Sequence, residues 1–585
     1  KRYVIVFNGE IYNYLEIKEI LKNRNHNVNW RGNSDTEVLL ESISNLGFVE
    51  TLQLIKGMFA FAIYDNFKKK LIIVRDRIGE KPLYYGFANG SFLFSSELKS
   101  FFYFPKFEKK ICTNSLNLFF KHCYIPGSHS IYNDVFKLEP STYIEIDLSF
   151  KQKSIPILKE SLVKTIYWQP KISNDYNEYS SNDFLLKIEE KLSNSVNQQM
   201  RSDVSLGAFL SGGIDSSLIS YLMQKNSTKK INTFNVKFYE DNFDESYYAN
   251  KIANIIESNH HQITIDYKTA LNIIPSLGKI YDEPFADSSQ IPTFLLSKEI
   301  KKHVTVALSG DGGDELFGGY NRYTSVENVH NLLKLFPLKS KFIFSYLIRS
   351  IGERNWDKIN TNIISKFLNN YSYKNFGHKL YRLADRLNNC SSEIDIYKSF
   401  LSENTSNQNV VKHAKDIDII QNIINQEIIT DSDFKNFMMF LDTKMYLPDD
   451  ILVKVDRASM SNSLECRAPF LDFDLVELSF NIPSKFKISK NNKKILLKSI
   501  LGKYFEKDLF NRPKAGFAIP LAEWLRGPLR SLLFDSVSNL KKTNPDLLNF
   551  PLIEKKCNQH SSNLKNYDNF LWSIIIYNNW YESNN

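Results

Sequence analysis

Over the first 150 residues the apolar positions fall in short β-branched or aromatic runs bounded by Gly, Asn or Asp. Such runs mark strands, and they predict strands at 3–7, 58–64, 70–75, 83–88, 91–95 and 142–147. Two stretches repeat their apolar residues at helical spacing instead, 15–22 and 34–46, the second with Ser34 or Asp35 as its cap. Many strands and few helices predict a layered α+β domain over residues 1–150. Residues 151–182 sustain no period, and their Pro-, Asn- and Ser-rich end reads as an interdomain linker. From 183 strand and helix patterns alternate: helix 184–200, strand 204–210, helix 216–223, strand 233–238, helix 245–257, strand 261–265, helix 292–302 and strand 304–308. That alternation predicts a parallel sheet covered on both faces. Beyond about residue 320 the pattern is helical, as far as the apolar stretch 570–577, so residues 183–585 form the second domain.

Composition narrows the classes. Hydrophobic residues make up 43% of the chain and charged residues 24%, which excludes wholesale disorder and collagen-like structure. The net charge of +9 comes from scattered lysines rather than a basic face interleaved with aromatics, so no nucleic-acid partner is expected. The five cysteines, Cys112, Cys123, Cys390, Cys466 and Cys557, are odd in number and form no C-x-x-C pair. They argue against a disulfide framework or a zinc site and for a cytoplasmic setting. No apolar run reaches the roughly 18 residues of a membrane span. The richest, 332–351, is broken by Lys334, Pro337, Lys339 and Lys341, so no membrane partner is expected. The sequence opens at Lys1 rather than Met, two residues before a strand pattern, and a preceding segment is expected.

The strongest chemical signal is F-L-S-G-G-I-D-S-S at 209–217. An apolar strand ends at Leu210, and a glycine-rich loop leads into a helix. The carboxyl end of a parallel strand is where α/β sheets bind ligands. Gly212 and Gly213 permit close backbone approach, the helix start favours an anion, and Ser211, Ser216 and Ser217 add hydroxyl donors. No G-x-x-x-x-G-K-[ST] loop occurs, so no lysine of that motif reaches a terminal phosphate. Asp215 inside a phosphate loop calls for a bridging divalent cation, as magnesium does with one or two carboxylates and substrate phosphates. A second loop, S-G-D-G-G-D-E-L-F-G-G-Y at 309–320, follows another strand and carries Asp311, Asp314 and Glu315. Two strand ends with carboxylates sharing one magnesium suit attack at the α-phosphate of ATP with pyrophosphate departing.

These residues resemble the PP-loop of the N-type ATP pyrophosphatases, and with the 309–320 motif they are similar to the glutamine-hydrolysing asparagine synthetases. V-D-R-A-S-M at 455–460, L-E-C-R-A-P-F-L-D at 464–472 and R-P-K-A-G-F-A-I-P at 512–520 agree. In the first domain N-G-E-I-Y-N at 8–13, G-M-F-A-F-A-I-Y-D at 57–65 and R-D-R-I-G-E-K-P-L-Y at 75–84 look like the family's glutaminase. The resemblance implies an αββα-type glutaminase domain followed by a PP-loop domain with a helical C-terminal part. It implies glutamine hydrolysis in the first domain, internal passage of ammonia, and ATP-driven adenylation of the aspartate side chain in the second. Leu210, Val236, Ser309 and Gly310 match ATP-contacting positions, Asp215 and Asp314 magnesium-binding positions. Asp311 matches the acidic residue tied to adenylate formation, where other members carry Glu. Lys494, beside Lys493, matches the lysine that stabilises transition-state charge. Asn8, Gly9, Glu10 and Asp35 match glutamine-binding positions.

The family nucleophile is an N-terminal cysteine with its own amine as base. Lys1 has no thiol, and the internal Cys112 and Cys123 read as structural, so this chain as it begins is expected not to hydrolyse glutamine; an ammonia-dependent or glutaminase-dead form stands as the alternative to synthesis with glutamine-derived ammonia. The resemblance implies glutamine, aspartate and ATP as small-molecule partners; a homodimer is left open. Competing readings are a β-lactam-forming synthetase, an amidotransferase for a surface-sugar acid, a PP-loop enzyme acting on tRNA, and a non-catalytic binding protein. The glutamine-binding motif speaks against lactam formation. No RNA-binding module is evident, and the retained Asp215, Asp311 and Asp314 speak against loss of catalysis.

Overall fold

A computed structural model describes residues 2–148, 162–171, 176, 178–238, 245–265, 267–334, 337–360, 376–403, 409–426, 433–512 and 519–584. In the first half the strands are β1 (Tyr3–Ile11), β2 (Gly57–Asp65), β3 (Lys70–Arg75), β4 (Tyr84–Ala88), β5 (Ser91–Ser95), β6 (Val135–Lys137), β7 (Thr142–Asp147) and β8 (Lys164–Ile166). They form two antiparallel sheets, of order β1-β2-β3-β7-β8 and β5-β4-β6.

Strand β2 shows how the layers are sorted. Its alternate residues Phe59, Phe61 and Ile63 join Ile17 and Leu21 of α1 (Tyr14–Asn23) and Val38, Leu39 and Ile43 of α2 (Asp35–Leu46). The intervening Ala60 and Ala62 face Leu83, Tyr85, Ile144 and Ile146 between the two sheets. Period-two alternation thus puts bulk toward the helices and small residues where the sheets meet. Helix α3 (Thr113–His122) packs Leu116, Phe119 and Phe120 with Tyr84 behind the smaller sheet, completing a helix–sheet–sheet–helix stack.

The first strand is longer than the pattern predicts. It runs through Ile11, so Asn8, Gly9 and Glu10 lie in the ladder opposite Ala60, Phe59 and Met58. A Cβ on Gly9 would stand 2.1 Å from the Met58 carbonyl oxygen, so the pairing requires glycine there. Strand β8 comes from the stretch expected as linker and pairs with β7 through Thr165 and Tyr143. Residues 151–161, 172–175 and 177 of that stretch lie outside the described residues.

The second half is built on a parallel sheet of order β11-β10-β9-β12-β13. Its strands are β9 (Leu206–Phe209), β10 (Asn232–Phe238), β11 (Asn259–Ile265), β12 (Val306–Leu308) and β13 (Glu465–Arg467). The flanking helices include α4 (Ser181–Gln199), α5 (Ile214–Lys225), α6 (Ser246–Ile255) and α7 (Gln290–Ile300). Helix α4 opens on a reciprocal cap between Ser180 and Asp183. Every alternating element expected between 183 and 308 is present, with ends shifted by a few residues. An additional helix, Tyr267–Ile280, carries Pro275 inside it, and that proline masks its helical period.

The remaining chain is largely helical and ends in α11 (Asp568–Asn584), whose Trp572 and Trp580 are fully buried. The two halves share one apolar core: Phe120 of α3 lies 5.6 Å, ring to ring, from Tyr577 of α11. Polar ties cross the same boundary. Lys81 pairs with Asp456 at 2.9 Å, Arg457 donates to the Ser96 carbonyl at 2.8 Å, and Trp168 donates to Glu477 at 2.9 Å.

Candidate active site

Strands β9 and β12 are parallel neighbours, so their carboxyl ends open on one edge of the sheet. After β9 the Leu210 amide donates to the Phe234 carbonyl at 2.8 Å, and the chain turns through Ser211, Gly212 and Gly213 into α5. Gly212 has φ of +73°, and a Cβ there would stand 2.7 Å from the Ala249 nitrogen. The Ser216 hydroxyl accepts from the Ser211 amide at 3.2 Å, and the Ser211 hydroxyl accepts from the Gly213 amide at 3.2 Å. The first turn of α5 therefore presents amides and hydroxyls at the positive end of a helix, a cradle for an anion. Arg512 holds the loop from outside: it donates to the Gly212 carbonyl at 3.2 Å, pairs with Glu245 at 2.7 Å and lies 4.0 Å over the Tyr248 ring. The rest of its motif, 513–518, lies outside the described residues.

The second loop starts where the Ser309 amide donates to the Arg467 carbonyl at 2.8 Å. It passes through Gly310, Asp311 and Gly312 into the short helix α8 (Gly313–Phe317). The two loops touch because glycine leaves room. A Cβ on Gly310 would be 2.9 Å from the Asp215 Cβ, and one on Gly313 would be 2.7 Å from the Asp215 Cγ. Asp215 and Asp314 are thereby brought side by side.

A third segment completes the cluster. Lys494 caps α10 (Ile495–Leu501) with a left-handed backbone, φ +53°, unusual for a side chain with a Cβ. Its ammonium bonds Asp215, and reaches Asp314 Oδ1 at 2.5 Å. Lys493 points elsewhere, to Asn321. Lys494 is 5% exposed, so the trio is screened little by solvent. A cation already sits between the two carboxylates. This donor set suits magnesium bound by two carboxylates and phosphate oxygens. Among the described residues no three His, Cys, Asp or Glu side chains gather as a metal site by themselves.

The other expected residues take different stations. Leu210 and Val236 are buried in the core beside the loop. Ser217 is fully buried, and its hydroxyl, like that of Ser309, has no hydrogen-bond partner among the described residues. Asp311 stands outside the trio, lining a cavity with Ser309, Lys81 and Cys466. Against the effect of burial, the charges of Asp287, then Asp450, and last Asp311 itself raise the pKa of the partly buried Lys454. Lys454 pairs with Asp287 at 2.8 Å, and Asp450 lies on the single π-turn Leu447–Ile451, its carboxyl pushed well up by burial and then by Asp287. Sequence reasoning missed Asp287, Asp450 and Lys454. The V-D-R-A-S-M motif beginning one residue after Lys454 was the available signal, but no spacing links these groups to the loops.

On α8 itself, Glu315 is buried, and burial followed by the Asp314 charge pushes its carboxyl up to about 7. The Tyr320 hydroxyl donates to it at 2.5 Å. The Tyr320 ring lies 4.1 Å from the Arg322 guanidinium, which pairs with the buried Asp442 at 2.8 Å.

In the first half, Asn8, Gly9 and Glu10 of β1 meet Asp35 at the start of α2. Asp35 accepts from the Ile11 amide at 2.8 Å, and the Asn8 side-chain amide donates to Ser96 at 3.1 Å. Glu10 is pushed up to about 7 by burial and then by Asp35, against the pull of Arg467 at 4.0 Å. Cys112 and Cys123 are free thiols at the two caps of α3.

The chain matches the family model for asparagine synthase over residues 187–582 and that for a glutamine amidotransferase domain over residues 1–155. It is 30% identical to asparagine synthetase (glutamine-hydrolyzing) 1 of Bacillus subtilis strain 168, over 100% of this chain and 86% of the relative. It is 30% identical to a putative asparagine synthetase (glutamine-hydrolyzing) of Mycobacterium tuberculosis H37Rv, over 99% of this chain and 84% of the relative. A putative asparagine synthetase (glutamine-hydrolyzing) 2 of Methanocaldococcus jannaschii is 34% identical over 78% of this chain and 81% of its own length. Among the described residues no helix is long and apolar enough to cross a membrane.

Proposed function

The chain belongs to the asparagine synthase family, and from that premise we propose that it joins ammonia derived from glutamine to the side-chain carboxylate of aspartate, with ATP cleaved to AMP and pyrophosphate. The observation that carries this reading is the Asp215–Lys494–Asp314 cluster, set beside an anion-binding turn on the edge where β9 and β12 end.

The chemistry follows from what those groups offer. A carboxylate is a poor electrophile. An oxygen of the aspartate side chain attacks the α-phosphorus of ATP, the bond to the β-phosphate oxygen breaks, and pyrophosphate leaves. Ammonia then adds to the carbonyl carbon of the resulting acyl-adenylate, AMP leaves, and a proton is lost from nitrogen. The amides and hydroxyls of Ser211, Gly212, Gly213, Ser216 and Ser217 are assigned to the phosphate chain, with Ser309 and Gly310 opposite and Leu210 and Val236 against the adenine. The Lys494 ammonium supplies positive charge where the phosphate oxygens become more negative, a large share of catalysis in such sites. Asp311 is assigned to adenylate formation. Asp215 and Asp314 are the residues that would hold a magnesium ion, whose chemistry when bound is to neutralise the departing pyrophosphate. Asn8, Gly9, Glu10 and Asp35 are assigned to glutamine.

Pyrophosphate release from ATP, aspartate and ammonium chloride tests the reading. Asp215→Ala should lower it by about 100-fold or more, and near-normal turnover in that variant refutes the assigned cluster. Release that ignores aspartate but responds to another acid moves the acceptor and leaves the adenylating site standing.

A further inference from the structure

Two small cavities lie on the boundary between the halves. The first is lined by Tyr12, Gly57, Ile78, Glu80 and Phe473, directly behind the β1–β2 pair that carries Asn8 to Glu10. The second is lined by Met58, Glu80, Ser309, Asp311, Cys466 and Ala468, and so opens onto the second loop of the adenylating site. Among the described residues Glu80 alone lines both.

We propose that Glu80 is a positioning residue at the crossing between the halves, where its carboxyl hydrogen-bonds ammonia moving from the first cavity to the second. The inference rests on the ammonia-transfer reading above and adds to it the group that handles the ammonia in transit.

The surroundings decide the form of that carboxyl. Burial, then the neighbouring Asp76, push Glu80 well above the ordinary carboxyl range, and Asp472 and Asp456 act in the same direction. Lys81 opposes them, but its ammonium is committed to Asp456 at 2.9 Å. Asp76 itself accepts from the amides of Ile78, Gly79, Glu80 and Lys81, which fixes the turn that aims Glu80 inward. The Tyr12 hydroxyl, in the first cavity, is buried and has no hydrogen-bond partner among the described residues. These neighbours favour the protonated form of the Glu80 carboxyl. The distinction matters chemically. A carboxylate at this point would stabilise ammonium, which has no lone pair with which to attack an acyl-adenylate. The protonated carboxyl donates a hydrogen bond to the ammonia lone pair, and ammonia leaves with that lone pair intact when the proton stays on Glu80. Glutamine, neutral and of similar shape, can do the same.

The test measures glutamate and pyrophosphate formed by the full natural chain given glutamine, ATP and aspartate. Unsubstituted protein should form the two in near-equal amounts, and Glu80→Gln should keep that ratio. Glu80→Leu removes the hydrogen bond, worth about 1 kcal/mol or a factor of about five, and should raise glutamate per pyrophosphate by that factor. Its glutamine-driven rate should fall more than its rate with ammonium chloride. Ala468→Val, which narrows the second cavity, should raise the ratio as well. An unchanged ratio in Glu80→Leu, or equal loss in Glu80→Gln and Glu80→Leu, overturns the role of Glu80 and leaves the proposed function intact. Unsubstituted protein that forms pyrophosphate with ammonium chloride but no glutamate from glutamine overturns the glutamine reading, and this inference with it.

Discussion

Glu315 shows how far a single residue departs from its ordinary chemistry in this fold. Its carboxyl has an ordinary pKa of 4.5 and is pushed up to about 7 by burial and then by Asp314. Between those two values the folded protein holds a proton that the unfolded chain has released. Stability therefore falls as pH rises through that window. Glu315→Gln keeps an acceptor for the Tyr320 hydroxyl and removes the titration. Urea midpoints measured across the window should decline less steeply with pH in the variant than in the unsubstituted protein, and parallel profiles would show the carboxyl to be unperturbed. At this scale the sequence was informative about type and silent about direction. Asp215 and Asp314 were legible as carboxylates in glycine-rich turns. Whether Lys494 or Lys493 joins them was not, because the choice depends on a left-handed backbone angle at Lys494 that turns its side chain toward the loops and sends Lys493 to Asn321.

The elements behave as their periods predict where they are long enough to have one. Helices α4 to α7 and strands β9 to β12 stand where alternation put them, because a parallel sheet buried on both faces imposes a strong pattern. Strands β6, β8 and β13, three residues each like β12, escape such reading because, unlike β12, they do not fall in a run where strand and helix alternate. Strand β13 places Arg467 beside Leu308, and the Arg467 carbonyl anchors the second loop. That loop closes at Gly319, where a Cβ would lie 1.7 Å from Asp314 Oδ1 and 2.5 Å from the Lys494 Cε. Gly319→Ala must push the ion cluster apart. It is expected to reduce pyrophosphate release by about 100-fold, the cost of a misplacement near 1 Å, while the far-ultraviolet circular dichroism stays that of the native fold. Full activity in this variant would mean that the cluster tolerates displacement.

At the scale of the whole molecule the two halves are joined by a shared core and by buried charges. Lys81 comes from the turn after β3 and Asp456 from α9 (Leu452–Met460), and both side chains are almost wholly buried. Removing one partner strands the other charge. Lys81→Met alone should cost about 3–5 kcal/mol, whereas Lys81→Met with Asp456→Leu should return to within about 1 kcal/mol of the native value. Denaturant midpoints of the two single variants and the double variant decide this, and additive losses would show the pair to be independent.

The sequence by itself determined the two-part plan, the parallel sheet of the second half and the identity of the glycine-rich turns. Those features are written in local period and in residues that only certain backbone angles accept. Tertiary structure alone decided that Asp215, Asp314 and Lys494 meet at one point, that Asp311 stands apart from them, and that Glu80 lies between two cavities. These are contacts between segments far apart in the chain, and their distances depend on how sheets, helices and halves pack rather than on any pattern a single segment carries.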